Sequence, residues 1–486
     1  MMRKIIIMSL LALSSVSLNS CNKWLDLQPQ DGITNDEFWK TKEDVHAGLI
    51  GIYSSLNGGG VERSLFLWGE LRADLVGLTS YASDDNRYVK NYNILSTNML
   101  SDWSAIYSAI NDCNLLIDKA PLAKASDPTF TDAAYNDAIG EALAIRSFLY
   151  FYLVRTFRDI PLKLKGIAKD TDIVPTTQSS AEEVLKQIEA DLIKAQGMVP
   201  EYLVESVDYN ATNAGRVTRP AVTAMLADVY LWLEQYDKVE VETAKILNTN
   251  RYRLNGVATV SIFDGGTAET IFEISHKGSQ VNPMFDLVLA DKKPFMANVD
   301  LLNSEIFPSN ADVDADLSDS RGEGSLYLSA GSIVKYGLET PNYFNFQIYR
   351  ISDIMLMRAE ALAELGRGAE ALQLINELRT KRKAIAASDA LVDENDTESI
   401  VFYVFDERAR ELTFEGKRWF DLLRLAKKDS YSNLNVLVDL VTKTADSNVQ
   451  QSAISKVRDT DSHYLPILET ELFKDQSLKQ NPFYLK

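Results

Sequence analysis

The chain has 486 residues, 46% hydrophobic and 24% charged, enough for a large buried core and unlike a disordered tail. Its net charge of −19 leaves no basic block to neutralise phosphates, which argues against nucleic acid and against charge-driven docking on anionic lipid. Cys21 and Cys113 are the two cysteines, so no intrachain disulfide forms if Cys21 is otherwise engaged.

Arg3 and Lys4, then an apolar run from Ile5 to Leu18, have the layout of a signal peptide, too short for a bilayer-spanning helix. The ending Leu18-Asn19-Ser20-Cys21 resembles a bacterial lipobox, which implies a leader over 1–20 and lipid on the Cys21 sulfur. Residues 21–42 read as an arm. Pro29 and Gly32 break any helix there, and Thr34 or Asn35 caps a short one holding Phe38 and Trp39. The region 43–251 is helical in pattern, beginning with Val45, Leu49, Ile52 and Tyr53 at helical spacing. Thr79 to Asn93 has no apolar period and reads as a loop rich in polar and aromatic groups. Helices are predicted over 99–119, where Cys113 reads as a small buried hydrophobe, and over 135–158. Two helix pairs follow: 218–233 with 239–247, and 351–365 with 369–381. Small apolar residues on facing helices, in units of about thirty-four residues, resemble tetratricopeptide repeats. The 181–197 segment and the helix before it read as a diverged third unit. Between the pairs, 252–345 reads as an irregular insertion with one strand over 269–275, and 346–486 returns to helix. The expected fold class is mainly α: a tetratricopeptide-like helical frame with a large, irregular, loop-rich insertion.

Several segments together resemble the SusD/RagB family of surface nutrient-uptake lipoproteins. They are Trp24-Leu-Asp-Leu-Gln-Pro29, Phe38-Trp39 with Thr41 and Asp44, Glu141 through Phe157 with Ile160-Pro161-Leu162, and Gly215-Arg216-Val-Thr218. Asp319-Ser-Arg321, Arg350 through Ala361 with Asn376-Glu-Leu-Arg379, Glu407 through Arg424, and the tail from Leu465 to Tyr484 continue the match in order. The resemblance implies a lipid-anchored outer-membrane protein, facing the cell surface, that binds a glycan. It implies delivery to a SusC-like TonB-dependent transporter with no bond made or broken. A peptide-binding or purely scaffolding lid is the alternative implied by the same family, and a surface glycoside hydrolase is a more distant one. Only Asp26 is acidic just after Cys21, so surface exposure rests on the resemblance rather than on an acidic export signal.

No catalytic motif is present. His46, His276 and His463 stand far apart, without ligand neighbours, so zinc is not expected. Asp312, Asp314, Asp316 and Asp319 suit a hard cation such as calcium, but no glycine turn or closing Glu accompanies them, and a solvated acidic loop is the default. Glu407, Arg408, Arg410, Glu411, Glu415 and Arg418, with Arg146, Arg350 and Glu360, read as ion-paired clamps that set helix register. A sugar needs exposed aromatics for its flat C–H faces and polar side chains for its hydroxyls. Tyr81, Asn86, Arg87 and Tyr88 are the first candidates, with Tyr92, Asp84 and Asp85 beside them. Because the family's ligand site also draws on the middle insertion, Phe285, Phe295 and Tyr343 are candidate partners.

Overall fold

The computed structural model describes residues 38–58, 60–203, 210–255, 265–276, 282–308, 319–337, 344–384 and 392–485. Cys21, Thr34, Asn35, Asp312, Asp314, Asp316 and Tyr343 lie outside the described residues. Thr41 opens helix α1 (Lys42–Asn57): its side chain accepts from the Asp44 amide, and Asp44 reaches back to close a capping box. Val45, Leu49, Ile52 and Leu56 form its buried face. A second helix, α2 (Gly60–Glu70), follows closely on the first.

The segment read as a loop is more ordered than its composition suggests. Strand β1 (Val76–Leu78) leads into a turn and then helix α3 (Asp84–Lys90), capped by Ser83. Acceptor side chains at a helix start compensate for the missing apolar period, which is why periodicity alone overlooked α3.

Helix α4 (Ser104–Ser126) buries Cys113, and burial pushes its thiol well up. Helix α5 (Asp132–Phe157) is buried on every side from Ala138 to Phe157, so it forms the centre of the core. Short strands β2 (Ile160–Pro161) and β3 (Gln178–Ser179) pair antiparallel before helix α6 (Ala181–Met198), which opens with a Ser180–Glu183 capping box. The expected pairs are present as α7 (Arg219–Trp232) with α8 (Tyr236–Leu247), and α9 (Ile351–Glu364) with α10 (Gly368–Lys381). Left-handed residues end the first helix of each pair, Glu234 at φ +57° and Gly366 at φ +72°. Although the pairs are far apart in sequence, α8 packs directly on α9. The stack therefore runs α5–α6–α7–α8–α9–α10 in space, with the insertion looped out of it.

Within the insertion, β4 (Thr270–Ile274) pairs antiparallel with β6 (Phe346–Arg350), and β5 (Phe295–Ala297) pairs with β1 in the register Leu78↔Phe295. All five residues of β4 are buried, so the strand is covered on both faces rather than half-exposed as an alternating pattern predicts.

Helices α11 (Thr397–Glu411) and α12 (Arg418–Tyr431) carry the charged signature into the core. Glu411 accepts from Arg321 Nη1 at 2.8 Å, from Arg382 Nη2 at 2.7 Å and from Arg350 Nη1 at 2.5 Å. Glu415 takes the other edge of Arg350, at 3.0 and 2.7 Å, and Lys335 at 2.6 Å. Glu407 holds Arg321 at 2.8 Å and Arg379 at 2.7 Å. Arg408 bridges Asp353 and Asp421, and Arg424 joins Glu360 to Asp421. Arg146 clamps α5 to α6 through Asp191. These contacts bear out the clamp reading. Asp319 belongs to the same network, pairing with Arg321 at 2.9 and 2.8 Å.

Burial alone would raise the Glu407 and Asp353 carboxyls. Arg321, Arg379 and Arg410 more than reverse this for Glu407, and Lys417 and Arg408 do so for Asp353, holding each at about 2. A carboxyl held below its ordinary value stabilises the fold above that ordinary value and loses this contribution as pH falls through the folded one. The melting temperature is therefore expected to fall steeply between about pH 4.5 and pH 2, measured by calorimetry. A flat profile across that window would contradict the network's role.

Candidate functional site

Loop 79–83 and helix α3 present exposed side chains at the surface. Tyr81 is 57% exposed and Tyr88 41% exposed. The backbone beneath them is held by side chains. Ser83 Oγ accepts the Asn86 amide at 3.2 Å, and Thr79 Oγ1 accepts the Tyr81 amide at 3.1 Å. Arg87 Nη2 donates to the carbonyls of Thr79, Ser80 and Ala82, each at 3.3 Å, so one guanidinium gathers the turn that carries Tyr81. Asn86 is half-buried and Arg87 exposed, both beside Tyr88 on α3. Asp85 Oδ2 accepts the Met99 amide at 3.0 Å, while Asp84 stays exposed.

The insertion meets this face at its foot. Thr79 donates through its amide to Pro294 O at 2.9 Å and through its hydroxyl to Lys293 O at 2.6 Å. The structure thus brings the 79–93 segment and the insertion together through β1 and β5. Not every predicted aromatic is available there. Phe295 is fully buried in β5 and presents no face to a ligand, because an inward position on a strand beside the core is an apolar one. Tyr92 is buried too, and its hydroxyl donates to Arg72 O at 2.5 Å. Phe285 is half-buried at the start of an irregular helical turn over 285–289. Sequence reading missed Leu95 and Met99, which are 48% and 60% exposed on the segment that follows α3. Leu95, followed by Ser96 and lying ahead of the helix predicted from residue 99, was the available signal; Met99 fell inside that predicted helix.

Concave sites among the described residues also lie elsewhere. A cavity of about 410 Å³ opens between α1 and α5, walled by Val45, Leu49, Ile50, Phe130 and Ala138 with Arg216 at its edge. A cleft of about 780 Å³ runs beside the C-terminal tail, lined by Arg158, Ser180, Lys479 and Asn481 among others. Their aromatics, Phe130 and Phe157, are buried, so neither offers a stacking surface for sugar.

The deepest carboxylates suit structure rather than acid–base chemistry. Burial raises Glu70 to about 8 and Glu141 to about 7, but both are sealed from solvent. Glu70 accepts the Gly416 amide, and Glu141 receives Arg216 and Tyr53. His276 pairs with buried Glu62 at 2.6 Å, and His463 Nε2 bonds Val457 O at 2.7 Å. No group of three metal-ligating side chains occurs among the described residues. No helix among them is long and apolar enough to cross a membrane.

Comparison with known proteins agrees with this architecture. Residues 337–484 match the SusD family, and residues 23–231 match a family described as starch-binding and associating with the outer membrane. Two SusD-like proteins of Formosa agariphila are each 26% identical to the chain. One aligns over 481 residues, covering 87% of this chain and 92% of its own length. The other aligns over 456, covering 82% and 87%. Among solved structures, a SusD superfamily protein from Bacteroides vulgatus superposes with a TM-score of 0.73 at 22% identity, over 92% of this chain and 100% of that one. B. fragilis NanU does so with a TM-score of 0.71 at 22% identity, over 94% and 100%. At that identity the superpositions speak for the fold.

Replacing Arg87 with alanine removes the donor shared by three carbonyls. Amide hydrogen exchange over 79–83 is expected to quicken by about tenfold, with the melting temperature nearly unchanged. Unaltered exchange there would show that the turn holds without the guanidinium.

Proposed function

The chain belongs to the SusD family, and on that footing we propose that it captures a glycan at the cell surface and passes it to a SusC-like, TonB-dependent outer-membrane transporter. The observation that carries this reading is the pair Tyr81 and Tyr88, exposed on a backbone that Ser83, Thr79 and Arg87 hold rigid. Their rings supply the flat apolar faces a sugar stacks on, and Asn86 and Arg87 supply hydroxyl partners at the rim. Of the insertion candidates Phe285 and Phe295, Phe285 keeps partial exposure. Pre-formed rings lose little freedom on binding, which favours capture by equilibrium binding. The starch-binding, outer-membrane description of the family matched by residues 23–231 supports the same ligand class and location.

Lipid on Cys21 would anchor the protein without a membrane-spanning helix, on the strength of the leader pattern. Capture close above a transporter then raises the ligand's local concentration at the pore. The helical stack, an extended repeat surface, is the part suited to a protein partner.

Alanine at both Tyr81 and Tyr88 is expected to weaken retardation by soluble polysaccharide in affinity gels by about tenfold or more, at a stacking contribution of roughly 0.5–1.5 kcal/mol per ring. Unchanged retardation with a glycan that the parent protein binds would move the ligand site elsewhere. Gentle crosslinking in the native outer membrane, followed by tagged recovery, is expected to yield a TonB-dependent barrel in near-equal amount. Its absence, with the protein intact in the membrane fraction, would contradict the uptake role.

A further inference from the structure

Five consecutive backbone carbonyls, Arg72 to Val76, are all claimed by the two halves of the candidate site. From the 79–93 side, the Tyr92 hydroxyl donates to Arg72 O at 2.5 Å, and Lys90 Nζ donates to Ala73 O at 2.5 Å and to Val76 O at 2.7 Å. From the insertion side, Asn298 Nδ2 donates to Asp74 O and the Asn298 amide to Leu75 O, each at 2.9 Å. This turn is therefore where α3 and the β5 segment meet the frame.

The turn itself is fixed from below. Arg72 Nη1 donates to His463 O at 2.5 Å, and its guanidinium lies 4.1 Å from the Trp419 ring centroid. Arg418 grips both Asp74 carboxylate oxygens at 2.9 Å. Glu70, just before the turn, accepts the Gly416 amide at 2.9 Å. Gly69 packs so closely that a Cβ there would stand 1.7 Å from Gly416 O.

Lys90 is an unusual residue to bury. Only 8% of the residue is exposed, and its ammonium is turned onto backbone carbonyls. Burial lowers its pKa to about 8 against the opposing pull of Asp74 and Glu70. A buried ammonium is costly unless hydrogen-bonded, so its donors are committed to the two carbonyls. A mere space-filler at this position would be an apolar side chain.

We propose that Lys90 and Asn298 are positioning residues that set the spacing between the Tyr81–Tyr88 face and the insertion by sharing the 72–76 turn. The proposal rests on the reading of that face as the ligand-binding one, but its geometry is testable without ligand. Each residue holds one half, and each acts on carbonyls one or two positions from those held by the other. Loss of the Lys90 ammonium removes two of the three bonds that tie the 79–93 side to the turn, and loss of the Asn298 side chain removes one of the two on the insertion side, so each loosens its half against a turn held by Arg418 and Trp419.

The test is a spin-label distance measurement on the full mature chain, in a Cys21→Ser background, between labels at Tyr88→Cys and Asp286→Cys. Both sites are exposed. The parent is expected to give a narrow distribution. Lys90→Met, which keeps the stem and removes the donors, is expected to widen it by about twofold or more. A control pair on the frame, at Ile193→Cys and Val241→Cys, should keep its width. Asn298→Ala is the second variant and decides the matter if Lys90→Met does not fold. An unchanged distribution in a folded variant overturns the proposal, as does equal broadening of the control pair, which would mean general loosening. Affinity-gel retardation by soluble starch is read in parallel. Failure of the parent to bind starch counts against that ligand and leaves the distance result to judge the positioning role.

Discussion

Everything in this structure hangs on a buried carboxylate, Glu411, held among three guanidiniums. Arg321 and Arg350 come from the middle of the chain, Arg382 follows the end of α10, and Glu411 ends α11. One side chain thus fixes an insertion element, a strand end and two helices at a common point. Removing a single partner from such a cluster leaves an uncompensated buried charge, at a cost of about 3–5 kcal/mol. An apolar core tolerates sliding of one helix past another better than an array of bidentate contacts does. That difference explains why a repeat stack interrupted by long insertions keeps one register.

From this point rigidity passes outward in steps. Arg350 links Glu411 to Glu415, the Glu415 segment leads to Gly416, and the Gly416 amide meets Glu70 beside the 72–76 turn. Arg418 holds the same turn through Asp74. Exposed tyrosines at the end of such a chain are presented in a fixed arrangement, although they sit on a short loop and a helix of two turns. Exposed side chains on loops backed by a rigid frame are a common arrangement, and here the backing is electrostatic as much as hydrophobic.

Much of this was legible in the residues. Helical spacing and small facing residues marked α7 to α10, and the dense alternation of Arg and Glu over 407–424 marked the clamp. What periodicity could not give was α3, whose start depends on Ser83 and whose one turn of apolar contact is too short to show a period. Nor could it tell which aromatics face outward. Tyr81, Tyr88 and Tyr92 look alike in sequence, yet Tyr92 turns inward at φ +53° to reach Arg72 O. Phe295 is hidden by pairing with Leu78, a contact across more than two hundred residues that local patterning does not carry.

The most direct measurement is a hydrogen-exchange footprint of the protein in the absence and presence of each member of a soluble polysaccharide panel. The account predicts protection concentrated over 79–93, with a smaller effect in the insertion segment around 285–298. Protection confined to the cavity between α1 and α5, or to the cleft beside the C-terminal tail, would contradict it.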